Sequence, residues 1–212
     1  MKPNLKSRPA TRTVIGCDQT PYPARLRTCL GTRAPPTLWA LGHLAILERP
    51  LLALFCSRAC PGQLLLQTYD LAQKLRDANV PVIGGFHSPM EQQCLQTLLH
   101  SPYLVVICLA RGLPKRLPPD WQRPLAEQRL LVLTAFPETI GRATQETAHR
   151  RNLVVAALAD ELFVAYAEPA SHTEFLCREI IGWGKRLLTH PGAATANLQA
   201  LGASVTLERL AQ

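Results

Sequence analysis

Short apolar runs that alternate with helical stretches constrain the fold of this chain most strongly. Six runs have the length of a β-strand, at residues 51–56, 81–86, 103–110, 130–136, 161–167 and 185–192. Helical spacing occurs between most of them, at residues 61–80, 89–101, 144–160 and 171–184. Strands that are apolar along their whole length are typical of a parallel sheet buried on both faces. The alternation therefore predicts an α/β fold, with an open, mostly parallel sheet and helices on both faces.

Two shorter segments precede the first of these runs. Residues 1–20 are rich in Pro, Thr and Lys/Arg and have no periodicity, which predicts a flexible basic tail. Residues 21–50 are interpreted as a short lead-in with a helix at about 37–47, because Pro36 suits a first helical turn. The remaining residues, 51–212, are expected to form one α/β domain.

The net charge of +8 is distributed unevenly. Residues 1–33 contain seven lysines and arginines but only one acidic residue, Asp18, so the rest of the chain is nearly balanced. Such a basic arm favours contact with phosphate or another acidic surface. A tail that only increases solubility explains the same charge equally well.

Several classes of protein are not expected. No apolar run is long enough to span a membrane, and the basic N-terminus lacks the apolar segment of a secretory signal. The seven cysteines form no CxxC motif, which favours buried thiols in a reducing cytoplasm over a zinc site. We therefore expect a cytoplasmic protein without a metal or cofactor.

Ligands of open parallel sheets bind beyond the carboxyl ends of the strands. The residues that follow the first two runs are small, hydroxyl-bearing or basic, which suits phosphate binding near a helix N-terminus. The candidates there are Ser57, Arg58, Gly62, Gly84, Gly85 and His87. The alternatives are a surface arginine, a plain glycine turn and an incidental histidine.

The segment 111–124 contains four prolines and several cations and is predicted to be a long functional loop. Basic residues with an interleaved aromatic residue suit a surface that follows a single nucleic-acid strand and stacks on its bases. The residues of this candidate surface are Arg111, Lys115, Arg116 and Trp121. A solvated loop with Trp121 packed inward is the alternative.

A third cationic group, Arg150 and Arg151 followed by Asn152, lies in the first half of a helix whose second half is apolar. Arg151 can bind phosphate with two hydrogen bonds, and Asn152 can hold a loop backbone. The alternative is that Arg151 pairs with Glu168 or Glu146 and stabilises the fold.

An ordered set of short motifs resembles the DprA/Smf (DNA-processing protein A) family along most of the chain. The matching residues are Tyr22-Pro23 with Leu26, Ser57-Arg58, Gly84-Gly85, Gly112-Leu113, Pro118-Pro119, Arg151-Asn152, Pro191-Gly192, Asn197-Leu198 and Gly202-Ala203. The departures, where the family has other residues, are Cys56, Leu153, Pro89-Met90-Glu91 with Cys94-Leu95, and Ala170-Ser171-His172-Thr173-Glu174. The chain therefore resembles a divergent member.

The resemblance implies a Rossmann-like core that binds single-stranded DNA and loads a RecA-type recombinase during DNA uptake (natural transformation) and recombination. It also implies a homodimer, no catalytic residues and a ligand groove lined by the Arg151-Asn152 pair. The departures leave two alternatives open. One is a nucleotide-binding sensor or nucleotide-processing enzyme that uses the strand-end pocket, and the other is a degenerate protein-binding scaffold.

Overall fold

Eight strands form one mixed sheet in the computed structural model of the protein, which describes residues 11–100 and 102–205. The strands are β1 (Arg12–Gly16), β2 (Thr37–Gly42), β3 (Leu52–Cys56), β4 (Val82–Gly84), β5 (Val105–Leu109), β6 (Leu130–Thr134), β7 (Glu161–Tyr166) and β8 (Arg186–Leu188). Their order across the sheet is β1-β2-β6-β5-β4-β3-β7-β8. Strands β3 to β8 are parallel, whereas β1 and β2 are antiparallel additions beside β6.

Seven α-helices of the described chain cover the two faces of the sheet. They are α1 (Ala24–Leu30), α2 (Gly62–Asp77), α3 (Pro89–Leu99), α4 (Pro119–Ala126), α5 (Gln145–Leu158), α6 (His172–Ile181) and α7 (Ala196–Ala200). Helices α2, α3 and α4 enclose one apolar core, and the other four enclose a second core on the opposite face. Neighbouring residues of β3 alternate between these cores, with Leu54 in the first and Phe55 in the second. This confirms the predicted α/β class with helices on both faces.

The predicted helix at about 37–47 is wrong. Residues 37–42 form β2, which pairs with β6, and residues 44–48 form a short 3₁₀ helix. Because β2 lies between the two cores, Leu38 and Ala40 are buried on one side and Leu41 on the other. The apolar residues of β2 are followed almost directly by those of the 3₁₀ helix, so the two together have the length of a helix.

The prediction of a flexible tail over residues 1–20 is also wrong for residues 12–16, which form a strand. Residues 12–16 form β1, an edge strand that pairs with β2 from Arg12↔Leu41 to Gly16↔Thr37. Only Ile15 of this strand is fully buried, so the sequence has little apolar signal there. Residues 1–10 of the predicted tail lie outside the described residues.

The segment 111–124 is only partly the irregular loop that was predicted. Helix α4 begins at Pro119, a favourable first helical residue because its missing N–H would have no partner there. The irregular part of this segment is therefore confined to residues 111–118. Within the two described ranges, no helix is both long and apolar enough to cross a bilayer.

Candidate functional site

The carboxyl ends of the parallel strands bring five loops to one edge of the sheet. We call this surface the rim, and it comprises residues 57–61, 85–88, 110–118, 135–144 and 167–171. Most of the residues predicted to bind nucleic acid lie on the rim or on the helix next to it. The structure divides them into buried residues that hold the loops and exposed residues that face solvent.

A buried carboxylate, Glu91, connects the ends of β3 and β4. Its Oε1 accepts the Cys56 N–H at 2.9 Å, and its Oε2 accepts the N–H groups of His87 and Ser88 at 2.8 and 3.1 Å. Burial raises the pKa of Glu91, although these N–H donors favour its charged form. The Ser88 side chain completes a capping box at the start of α3. The role of Glu91 was missed from the sequence, although this Ser-x-x-Glu pattern is a signal that could have indicated it.

Arg151 extends from α5 beneath the same loops. Its Nη1 donates to the Cys108 carbonyl at 3.3 Å, and its Nε donates to Asn152 Oδ1 at 2.7 Å. Burial lowers the pKa of Arg151, while the nearby charge of Glu91 opposes this shift. A Cβ at Gly85 would overlap the guanidinium group, so glycine is needed there because the arginine occupies that space.

These contacts decide how Arg151 acts in the described part of the chain. It forms no salt bridge there with Glu146 or Glu168, the two acids proposed from sequence. Its side chain is 7% exposed and its donors are directed at β5 and Asn152. Arg151 therefore supports the strand ends from below.

Ser57 is also a supporting residue. Its N–H donates to the Tyr166 carbonyl at 2.9 Å, and its hydroxyl oxygen accepts the Glu168 N–H at 3.1 Å. The hydroxyl also lies 3.5 Å from Ser171 Oγ. The buried serine thereby connects the loop after β3 to the loop after β7.

The exposed candidates surround this buried support. The side chains of Arg58, His87, Arg111, Lys115 and Arg116 are exposed to solvent. No ion pair or hydrogen bond joins any of these side chains to another described residue.

Gly62, the first residue of α2, is exposed and has open space around its Cα. Gly84 instead lies against the ring of Phe86, 3.1 Å from where a Cβ would be.

Hydrogen bonds and close packing hold the loop after β5 against the loop after β6. The Gly112 N–H donates to the Ile140 carbonyl at 2.9 Å, and a Cβ at Gly112 would lie 2.6 Å from the Pro137 carbonyl oxygen. Arg12 of β1 adds a salt bridge to Glu138 at 2.6 Å and a hydrogen bond to the Pro114 carbonyl at 2.9 Å. The sequence did not suggest this role, because Arg12 was assigned to a flexible tail.

Two further candidates do not join the rim as predicted. Trp121 is partly buried against the core formed by α2, α3 and α4, so the inward-packed alternative describes its position. Arg150 is exposed, and its guanidinium lies 5.6 Å from the centre of the Phe136 ring. It also lines a cavity near α1.

The chain matches the family described as DNA recombination-mediator protein A over residues 13–212. It belongs to the DNA recombination-mediator protein A family. This confirms the resemblance to DprA/Smf proteins. No curated protein sequence gives a significant match.

Two solved structures of DNA processing protein A have the same fold as this chain. The protein from Streptococcus pneumoniae has 20% sequence identity and a TM-score of 0.77, with 94% of this chain and 73% of that chain covered. The protein from Helicobacter pylori, a structure that concerns its single-stranded DNA binding mode, has 17% identity and a TM-score of 0.74, with 92% and 90% covered. These matches confirm the predicted Rossmann-like, DprA-like core.

A more distant likeness involves the molybdenum cofactor binding protein from Rippkaea orientalis. It has 11% identity and a TM-score of 0.51, with 73% of this chain and 83% of that chain covered. At this identity the likeness concerns the fold alone.

Proposed function

We propose that this DNA recombination-mediator protein binds single-stranded DNA along the rim, with little preference for base sequence. The family and the single-stranded DNA binding of the Helicobacter pylori relative support this proposal. The observation that carries it is the set of exposed cations on the rim whose side chains have no partner among the described residues. These cations are Arg58, Arg111, Lys115, Arg116 and Arg142.

The charge balance of the rim supports the same proposal. Its loops contain five lysines and arginines and only two glutamates. One of the two, Glu138, is already paired with Arg12. The remaining positive charge therefore attracts a polyanion, and the cations can contact phosphates without first breaking an ion pair.

Phosphate contacts are expected to dominate over base stacking. Trp121, the aromatic residue predicted to stack on bases, is packed inward. Phe136, the aromatic side chain of the loop after β6, is only 4% exposed. Binding should therefore depend strongly on salt and weakly on base identity.

The buried residues give the exposed cations a fixed arrangement. Glu91 holds the backbone after β3 and β4, Arg151 holds the end of β5, and Ser57 joins β3 to β7. A loop that is ordered before binding loses less conformational entropy when the strand docks. We therefore assign Glu91, Arg151 and Ser57 to positioning, and Arg58 and the cations of residues 110–118 to phosphate contact.

We also propose that the chain catalyses no reaction. The Ser57 hydroxyl accepts the Glu168 N–H, and the Glu91 carboxylate accepts three backbone N–H groups. Neither group is therefore placed as a nucleophile or general base. Turnover of nucleotides or DNA by purified protein, lost in Glu91→Gln, would contradict this proposal.

The family supports two further proposals, a homodimer and delivery of the bound strand to a RecA-type recombinase. Light scattering should give twice the chain mass for the homodimer. Delivery should appear as faster assembly of recombinase filaments on DNA coated with single-strand binding protein. A mass of one chain would contradict the homodimer. Filament assembly at the same rate with and without this protein would contradict delivery of the strand.

Fluorescence anisotropy of labelled oligo-dT tests DNA binding by the rim. We expect wild type to bind the single strand more tightly than a duplex of equal length. The Arg58→Gln/Arg111→Gln double variant should bind at least about tenfold more weakly, because it loses two charge-assisted contacts.

The matched control is Arg49→Gln/Lys74→Gln, which also removes two exposed positive charges but lies away from the rim. It should change the affinity for oligo-dT much less than the rim variant. Absence of saturable binding by wild type, or equal weakening in both double variants, would contradict the proposed site.

A further inference from the structure

A cavity of about 340 Å³ lies beside the first residue of the rim loop 135–144, between α1 and the first half of α5. Five apolar residues line its walls: Leu30, Pro35, Ala135, Leu153 and Val154. Its volume is at the lower end of the range for small-molecule sites. The walls therefore suit a small ligand with an apolar body.

Charged residues border the same cavity. Arg33, Glu146, His149 and Arg150 complete its lining. Arg150 has the Phe136 ring contact but no salt bridge or hydrogen bond to another described residue. Arg33 is paired with Glu179 at 2.5 Å, yet its side chain is half exposed and keeps further N–H donors. Because Glu179 already balances Arg33, Arg150 is the cation of this lining without an ionic partner among the described residues, and it favours a ligand with a negative end.

We propose that this cavity binds a nucleoside 5′-monophosphate, with the base between the apolar walls and the phosphate at Arg150 and Arg33. The apolar face of the base suits the apolar walls, and the guanidinium groups offer the paired donors that phosphate accepts. The small volume fits one nucleotide rather than a longer fragment. Binding of a free nucleotide in this cavity does not depend on DNA binding by the rim.

The nucleotide has two possible sources with the same chemistry. One is a free nucleoside monophosphate. The other is the 5′-phosphorylated end of a strand held on the rim, because Ala135 lines the cavity and is also the first residue of the rim loop 135–144. Both sources place the same phosphate beside Arg150.

Calorimetric titration with AMP, GMP, dCMP and dTMP tests the site in the full chain. We expect saturable binding of at least one nucleotide at one site per chain. Arg150→Gln should weaken it about tenfold or more, since a charge-assisted contact is lost. Ala135→Leu should weaken it by filling the cavity, and Arg49→Gln, an exposed arginine elsewhere, should leave the affinity unchanged.

Arg150 is exposed, so Arg150→Gln keeps the test valid even if Ala135→Leu fails to fold. Absence of saturable binding with all four nucleotides would overturn the proposal, as would equal affinities of Arg150→Gln and Arg49→Gln.

Competition between 5′-phosphorylated and 5′-hydroxyl oligo-dT distinguishes a strand end from a free nucleotide as the source of the phosphate. Tighter binding of the phosphorylated strand that is lost in Arg150→Gln assigns the site to strand ends, and equal binding assigns it to free nucleotides.

Discussion

At the scale of single residues, neighbouring positions of this sequence have opposite roles. Arg150 and Arg151 are adjacent in α5, yet one is exposed beside Phe136 and the other is buried beneath the rim. Consecutive helical residues point about 100° apart, so only the packing of the helix decides which one supports the sheet. The sequence therefore identified the cluster, but it could not separate the two arginines.

The contact between Gly85 and Arg151 gives a direct prediction. In Gly85→Ala the added methyl group overlaps the guanidinium group, so Arg151 must leave its position near Glu91 and Cys108. We expect a loss of about 2–4 kcal/mol in the free energy of unfolding, because a buried charge loses its partners. Urea denaturation followed by circular dichroism measures this loss.

Gly62→Ala is the matched control for that variant. A Cβ at Gly62 contacts nothing within 4 Å, and the residue is the first of a helix. Its stability should equal or slightly exceed that of wild type. Equal stabilities of Gly85→Ala and Gly62→Ala would show that Arg151 is not held against Gly85.

His190 predicts a dependence of stability on pH. Its Nε2 lies 2.8 Å from Thr68 Oγ1, and burial lowers its pKa to about 4. The native state thus keeps the imidazole neutral, whereas the unfolded chain takes up a proton below its ordinary pKa of about 6.5. Stability is therefore lost as the pH falls from about 6.5 towards 4, by about 2 kcal/mol at pH 5.

Chemical denaturation of wild type and His190→Gln at pH 7.5 and pH 5 measures this effect. The difference in unfolding free energy between the two pH values should be about 2 kcal/mol larger in wild type. The same pH dependence in both proteins would assign the acid sensitivity to other groups.

At the scale of elements, the sequence predicted what depends on local apolar content. Strands β3 to β8 and helices α2, α3, α5 and α6 occur where their patterns placed them. Strand β1 was missed because its pairing with β2 is its main contact with the fold. Strand β2 was taken for a helix because its apolar residues are followed almost directly by those of the 3₁₀ helix at residues 44–48, so the two together have the length of a helix. Long-range pairing, and the point at which an apolar run divides into two elements, are not visible in a local pattern.

The position of the candidate site was predictable from the rule that ligands of parallel sheets bind at the carboxyl ends of the strands. The hydrogen bonds and ion pairs within the site were harder to predict from the sequence. The capping pattern of Ser88 and Glu91 was visible in the sequence, but the bond from Cys56 to Glu91 requires β3 and β4 to be neighbours. Likewise, Arg12 meets Glu138 only because β1 folds back beside β2.

The contact of β1 with the rim predicts a local change in dynamics. Arg12→Gln removes the salt bridge to Glu138 and weakens the hold on Pro114. Both charged side chains are about half exposed, so the unfolding free energy should change by less than about 1 kcal/mol. Backbone amides of residues 110–118 should nevertheless exchange faster in hydrogen–deuterium exchange.

Arg49→Gln serves as the control for this exchange experiment, since Arg49 is exposed and lies away from residues 110–118. Its exchange at residues 110–118 should match that of wild type. Identical exchange in Arg12→Gln and wild type would show that β1 does not restrain this loop.

At the scale of the whole molecule, the chain combines a buried scaffold with a surplus of positive charge on the rim. Two apolar cores and the sheet fix the strand ends, and the buried groups Ser57, Glu91 and Arg151 fix the loops. The cations above them are free to meet phosphate. In the proposed function, the exposed cations bind the polyanion and the buried groups beneath them stabilise the loops.

The salt dependence of oligo-dT binding tests this account most directly. Each phosphate contact with a single strand contributes about 0.7 to the slope of log K against log salt concentration. We predict that the variant with glutamine at positions 58, 111, 115 and 116 has a slope about 3 units shallower than wild type, with an unchanged fold by circular dichroism. A slope equal to that of wild type would contradict binding of the strand by the rim.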